Sequence, residues 1–370
     1  MATSTTTPYR AETVGSLLRP EWLKTARADR AAGRLGPAEF KRIEDRAVDA
    51  AIELQEGAGL DVVTDGEMRR AHFTGSLTEA ISGLGEAPAE EIAWHGETPE
   101  DEMVYRHSVA VTDKLRRVRS LAQEEFVYLR ARATRPVKMT LPSPLMLQTF
   151  WSQPLSTAVY GDPFEMFADA AELVREEIRE LVALGCVYIQ IDAPELATLV
   201  DESAREGFRA RGIDPDRMLT DGIEILDSVT EEPGPRYALH LCRGNREGHW
   251  MASGGYEAIS GAVFARAPGF DSFFLEYDDA RSGGFEPLAD VPGDKTVVLG
   301  LVSTKRGELE DPDELLARIE DAARHFPRDQ LALSPQCGFA SVIGGNPVPE
   351  ESQAAKFRLI REVAARAWPG

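Results

Sequence analysis

Apolar and β-branched residues gather in eight short runs along the chain, and each run stops at polar, glycine or proline residues. They read ETVGS at 12–16, DVVTDGE at 61–67, VKMTLP at 137–142, VYIQIDAP at 187–194, YALHLC at 237–242, SFFLEYDD at 272–279, TVVLGLVS at 296–303 and LALSPQCGF at 331–339. Between them, stretches such as DPFEMFADAAELVREEIRELVALGC place apolar residues three and four apart over charged faces, the spacing of an amphipathic helix. Strand-then-helix alternation repeated eight times predicts an α/β fold. A (β/α)8 TIM barrel fits better than an open doubly wound sheet, because the polar ends of all eight strands then converge on one mouth. The segment from about 80 to 135 is longer than a barrel connection. It is acidic and marked by proline and glycine, then briefly alternating, which predicts a hairpin-like excursion between strands 2 and 3 within a single 1–370 domain. Residues 21–60 predict two amphipathic helices broken at GRLGP.

Composition narrows the setting more than the fold. Hydrophobic residues make up 43% of the chain, yet no run approaches the eighteen or so apolar residues of a membrane span, so no membrane partner is expected. The opening MATSTTT lacks the basic and apolar regions of a secretion signal, and the expected location is cytoplasmic. With 62 acidic against 41 basic residues, the formal charge of -21 argues against a nucleic-acid surface, which needs a basic face for phosphates. The three cysteines, Cys186, Cys242 and Cys337, are too few and scattered for a disulfide framework. In a reducing compartment they are thiols, and a thiol near a histidine is a candidate metal ligand.

His240 and Cys242 stand two apart in YALHLC. Residues two apart on a strand share a face, so both can reach one point at its C-terminal end. A catalytic zinc takes three protein ligands of N, S or O type and keeps one position for substrate. Glu276 in FFLEYDD and Cys337 in SPQCGF end other predicted strands and supply further donors. The plain reading of the His-x-Cys pair is a satisfied histidine beside a small buried thiol; two more donors at strand ends outweigh it. Cys186 opens a strand and reads as a core thiol. His72, His95, His107, His249 and His325 have no partner at ligand spacing and read mostly as surface groups, with His249 nearest the pair.

TVGSLLRP, VVTDGEMRR, LPSP, QIDAPEL, LHLCRGN, LEYDDARSGGFEPL, VVLGLVSTK and LALSPQCGF together resemble the catalytic barrel of cobalamin-independent methionine synthase, especially its short single-barrel relatives. His-x-Cys, a downstream Glu and a Cys 61 residues beyond it follow that family's zinc-ligand order. The resemblance implies that His240, Cys242, Glu276 and Cys337 hold Zn2+, which activates a substrate thiol, with the hard Glu276 carboxylate the ligand most easily displaced. It also implies that Gly15 and Ser16 cradle the carboxylate of homocysteine and that Glu67 and Asp192 receive its ammonium. The plain reading of these acidic residues is helix capping after strand ends, and the resemblance, which assigns both at once, outweighs it. The implied activity is a zinc-dependent methyltransferase that makes methionine from homocysteine and a methyl donor. The short relatives include epoxyalkane:coenzyme M transferase, which adds a thiol to an epoxide. For that sulfonate thiol, Arg19, Arg69, Arg70 and Arg243 are the candidate cations.

Two departures bear on the donor. Where the larger synthases carry a proton-donating histidine, GLVS places Val302, so a folate nitrogen would lack its acid. Their additional N-terminal barrel has no counterpart in 370 residues. Trp151, following the third strand, is read either as a surface on which a flat donor stacks or as a packed rim residue. The pattern leaves monomer and homo-oligomer both open.

Overall fold

The computed structural model describes residues 8–98 and 100–369; the opening residues weighed as a signal lie outside them. Six parallel strands form one sheet in chain order: β3 (Met139–Pro142), β4 (Tyr188–Asp192), β5 (Arg236–Leu241), β6 (Ser272–Glu276), β7 (Thr296–Val302) and β8 (Leu331–Pro335). The first two predicted runs complete the ring with one bridge each. Ala11 pairs with Leu333 of β8, Asp61 N–H donates to Ala11 O at 2.9 Å, and Val63 pairs with Val137 just before β3. The result is a (β/α)8 barrel whose first two staves are short and locally irregular.

Side chains two apart on each strand sort the barrel into an outer and an inner layer. Ile189, Leu239, Phe273, Val297 and Leu331 belong to the large core beneath the helices. Val14, Val62, Tyr188, Ala238, Phe274, Val298 and Ala332 form a separate cluster inside the ring. Just above it, the buried Lys138 ammonium lies 3.2 Å from Glu12 and 4.0 Å from the Phe274 ring centroid. Further along, Asp192 and His240 pair in register near the C-terminal ends of β4 and β5, so an apolar plug at one end gives way to polar groups at the mouth.

The helices obey local rules. Helix Pro163–Ala183 starts at Asp162, whose carboxylate accepts Phe164 N–H at 2.8 Å, with proline in the first turn; such a cap is worth about 1 kcal/mol. Its buried stripe runs Phe164, Phe167, Ala171, Val174, Ile178, Leu181. The early helical region is two helices, Glu21–Ala31 and Pro37–Ala58, the second ending at Gly59 with φ of 81°, a conformation that costs glycine little.

Between the second and third staves, β1 (Ile81–Trp94) and β2 (Met103–Arg117) form a long antiparallel hairpin with irregular register between Glu86 and Glu90. Ser156 Oγ donates to Val111 O at 2.8 Å, and Tyr160 Oη accepts Leu115 N–H at 2.9 Å. At the far end, His95 and Trp250 exchange backbone hydrogen bonds of 2.7 and 3.0 Å, fastening the hairpin to the loop after β5.

Candidate active site at the barrel mouth

A cavity of about 880 Å³ lies between the C-terminal strand ends and the hairpin. Ser16, Glu67, Asp192, His240, Cys242 and Cys337 line its barrel side, and Leu84, Ile92, Trp94, Tyr105 and His107 line its roof.

His240 near the end of β5, Cys242 just beyond it and Cys337 after β8 each offer a ligand atom, and these atoms lie within 4.8 Å of one another. The two sulfurs are 3.7 Å apart. Both ring nitrogens of His240 are buried with no hydrogen-bond partner, a costly arrangement for a protein-only site and the expected one for an imidazole with a metal to meet. The Cys337 thiol and burial push the Cys242 thiol well above its ordinary value, so metal binding here must displace protons. The donor set, one imidazole and two thiols with room for a fourth group, fits a zinc-type ion.

Glu276, the fourth expected ligand, stands outside that group of donors. One carboxylate oxygen takes Arg281 Nη2 at 2.7 Å and Lys305 Nζ at 3.0 Å, and the other accepts Arg243 N–H at 2.6 Å. Burial alone would raise its pKa, but Lys305, Arg281 and Arg243 outweigh that and hold the carboxyl well below the usual range. A carboxylate already neutralised by two cations is a poor competitor for a soft metal.

Glu67 and Asp192 face the same cavity. Gly66 and Glu67 have φ of 69° and 54°, and this left-handed pair turns the Glu67 side chain back over the mouth. One Glu67 oxygen accepts the Thr140 hydroxyl at 2.8 Å; the other is buried and unpartnered. Asp192 accepts Gln190 Nε2 at 2.7 Å. Burial chiefly, and Glu67 nearby, push the Asp192 carboxyl up to about 6, while His240 and Lys138 pull against them. Among the described residues neither side chain caps a helix, the turns that follow starting at Thr74 and Ala193. Ser16 lies beside Cys337: a Cβ on Gly338 would fall 2.0 Å from Ser16 Oγ, so glycine there makes room for the hydroxyl. Gly15 is equally constrained, with Thr140 Cγ2 2.7 Å from where its Cβ would stand.

Trp151 corrects one expectation, the stacking surface for a donor. It is buried outside the cavity wall, packed in the core. Its neighbour Phe150 faces the cavity instead, edge-on to His107 at 5.6 Å. His72 and His107, read as surface groups, line the wall; His249 instead meets Asp101 at 3.3 Å. Cys186 is the buried bystander expected, its thiol pushed up to about 11 by burial. None of the four arginines considered for a sulfonate reaches the cavity wall. Arg19 donates to the carbonyls of Leu17, Glu67, Arg70 and Ala340, Arg69 pairs with Asp45, Arg70 with Glu125, and Arg243 with the Gly254 carbonyl. Among the described residues Arg246 is the one lysine or arginine in that wall.

Sequence reasoning missed the aromatic roof of Trp94 and Tyr105 and the buried acid Glu195. The brief alternation in VYRHSVAVT marked the roof as a strand but not which barrel face it would cover.

Fold and donor cluster together define a (β/α)8-barrel protein with a metal-type site at its catalytic face. The chain belongs to the cobalamin-independent synthase family: the family model for its catalytic domain matches residues 9–365. That family indicates a methyltransferase. Over 366 residues the chain is 38% identical to the uncharacterised protein YxjH of Bacillus subtilis, covering 98% of this chain and 95% of that one. It is 26% identical to methionine synthase of Pyrococcus abyssi, covering 88% and 84%. The fold is shared with a B12-independent methionine synthase from Shewanella, solved in complex with selenomethionine, at a TM-score of 0.75, 20% identity and 97% coverage of both chains.

Proposed function

We propose that the protein is a zinc-dependent thiol alkyltransferase that methylates homocysteine to methionine. The observation that carries this reading is the donor cluster of His240, Cys242 and Cys337 opening into the same cavity as Glu67 and Asp192. His240, Cys242 and Cys337 would hold the zinc, and with Glu276 engaged by Lys305 and Arg281 the cavity beside them would be open to the substrate thiol. Zinc supplies acidity to a bound thiol, so that its proton leaves at neutral pH. The chain's residues do the rest. The unpartnered Glu67 oxygen and Asp192 receive an ammonium, Gly15 and Ser16 face the carboxylate, and the roof excludes water from the reacting sulfur. The chain acts as one catalytic unit of 1–370 with the hairpin as its own cover. Selenomethionine in the Shewanella relative supports an amino-acid product of this shape.

The wall also argues on the competing epoxide reading, because a sulfonate thiol asks for cations where this cavity offers four acidic side chains, Glu67, Glu86, Asp192 and Glu195, and a single arginine. Calorimetry of the zinc-loaded protein with homocysteine and with coenzyme M tests the choice. Homocysteine should bind with release of about one proton, and Glu67→Ala should weaken it at least tenfold. Binding of the sulfonate thiol alone would replace this reading with epoxide opening.

A further inference from the structure

Glu195 sits in the short turn Pro194–Ala197, three residues beyond Asp192, in the wall of the same cavity. It is 3% exposed, and neither carboxyl oxygen has a hydrogen-bond partner. A buried carboxyl left in this way stays neutral and keeps a proton to give. Burial is the largest cause and pushes it up to about 8. Asp192, the charged group facing it, pushes the same way, while the Ser143 hydroxyl and its own backbone N–H, close by but outside hydrogen-bonding geometry, relieve it in part. It plays no part in the donor cluster, and it caps no helix.

The two histidines in that wall are poorly placed to give a proton. His72 is tied to Thr74 Oγ1 at 2.6 Å, and burial lowers its pKa, which keeps it neutral. His107 gives its Nδ1–H to Val109 O at 3.2 Å. Val302 ends β7 without a polar group. Yet a carbon attached to nitrogen or oxygen leaves slowly unless that atom is protonated as the bond breaks, and an acid with a pKa near neutrality does this best.

We propose that Glu195 is the catalytic acid for the second substrate: its neutral carboxyl hydrogen-bonds, and then protonates, the nitrogen or oxygen from which the alkyl group departs. The proposal rests on the thiol-transfer reading and assigns the donor's class, an apolar-bodied molecule with a nitrogen or oxygen leaving atom, held under Trp94, Tyr105 and Phe150. In the step, the substrate sulfur, whose proton has already gone to solvent, supplies the electron pair of the new S–C bond. The C–N or C–O bond breaks, its pair goes to the leaving atom, and that atom takes the Glu195 proton. Glu195 regains a proton from solvent, so thiol plus alkylated donor becomes thioether plus protonated donor.

The test compares wild-type and Glu195→Gln by infrared spectroscopy from pH 5.5 to 9.5, alongside homocysteine calorimetry. A protonated-carboxyl band present at pH 7, absent in the variant and fading with a midpoint near 8 is expected, with homocysteine affinity changed less than threefold. Turnover is then assayed with two probes, 5-methyltetrahydrofolate, whose nitrogen needs a proton, and trimethylsulfonium, whose sulfide does not. Glu195→Gln should lower turnover of the first at least 100-fold and remove its alkaline limb, while changing the second less than tenfold. Absence of the band overturns the proposal. So does a tenfold loss of homocysteine affinity, which would place Glu195 in the amino-acid pocket, or equal losses with both probes. If wild-type turns over neither probe, the infrared and calorimetric results decide. Failure of wild-type to bind homocysteine would instead count against the thiol-transfer reading.

Discussion

The sulfur atoms of Cys242 and Cys337 lie 3.7 Å apart, although 95 residues and two intervening strands separate them. Two buried thiols this close, with no disulfide between them, are held for a metal or for each other. Metal removal should therefore make the pair oxidisable, since the sulfurs need only close to about 2.05 Å. Chelator plus mild peroxide should reduce the titratable thiols of the denatured protein from three to one, Cys186 remaining, whereas zinc-loaded protein keeps all three. Cys337→Ser should abolish stoichiometric zinc binding; a variant that still binds one zinc tightly would remove Cys337 from the ligand set.

Glu276 separates structural from metal-binding roles. Glu276→Gln takes one counter-charge from Lys305 and Arg281, which keep Asp278 at 3.0 Å and Asp279 at 3.3 Å respectively, a loss of about 1.5–3 kcal/mol for hydrogen bonds to charged groups. Urea unfolding should register that loss while zinc stoichiometry stays at one. If the metal is lost and stability is unchanged, the carboxylate is a ligand after all.

Asp192 carries a cost that function explains. Its folded pKa of about 6 lies above the ordinary aspartate value, so the ionised side chain opposes folding once the pH has risen through that range. The sign follows: the penalty is absent below about pH 4, grows between 4 and 6, and is constant above. Asp192→Asn should stabilise the protein at pH 7.5 by roughly 2–3 kcal/mol and show no gain at pH 4. The same ionisation should govern the ammonium, so homocysteine affinity should fall as pH drops through 6. A pH-independent stability difference between the two proteins would count against this account.

Much of this site was legible from strand ends. His240, Cys242, Cys337, Glu67 and Asp192 each follow an apolar run, and a barrel sends every such residue to one mouth, so their meeting required only the right count of strands. What escaped depended on contacts between distant segments. The salt links of Glu276 come from Arg281 and Lys305 in two different loops, and nothing in LEYDD shows that its carboxylate is already engaged. The first two staves make only one bridge each, so their alternation is weaker than the ring they close. Trp151 and Phe150 exchange roles because they end a tight 3-10 turn, Pro144–Phe150, where a shift of one residue decides which ring meets the cavity.

That exchange can be measured. Trp151 fills core volume, so Trp151→Ala should cost about 3–5 kcal/mol in unfolding free energy while homocysteine affinity in the folded protein changes little. Phe150 is half-buried at the wall, so Phe150→Ala should cost no more than about 1–2 kcal/mol. Its effect should instead appear as a raised KM for the alkyl donor, together with Tyr105→Ala from the roof, at unchanged homocysteine affinity. The two residues thus predict opposite splits between stability and donor KM. A Trp151→Ala protein of wild-type stability with a raised donor KM would restore the tryptophan as the stacking surface and displace Phe150 from that role.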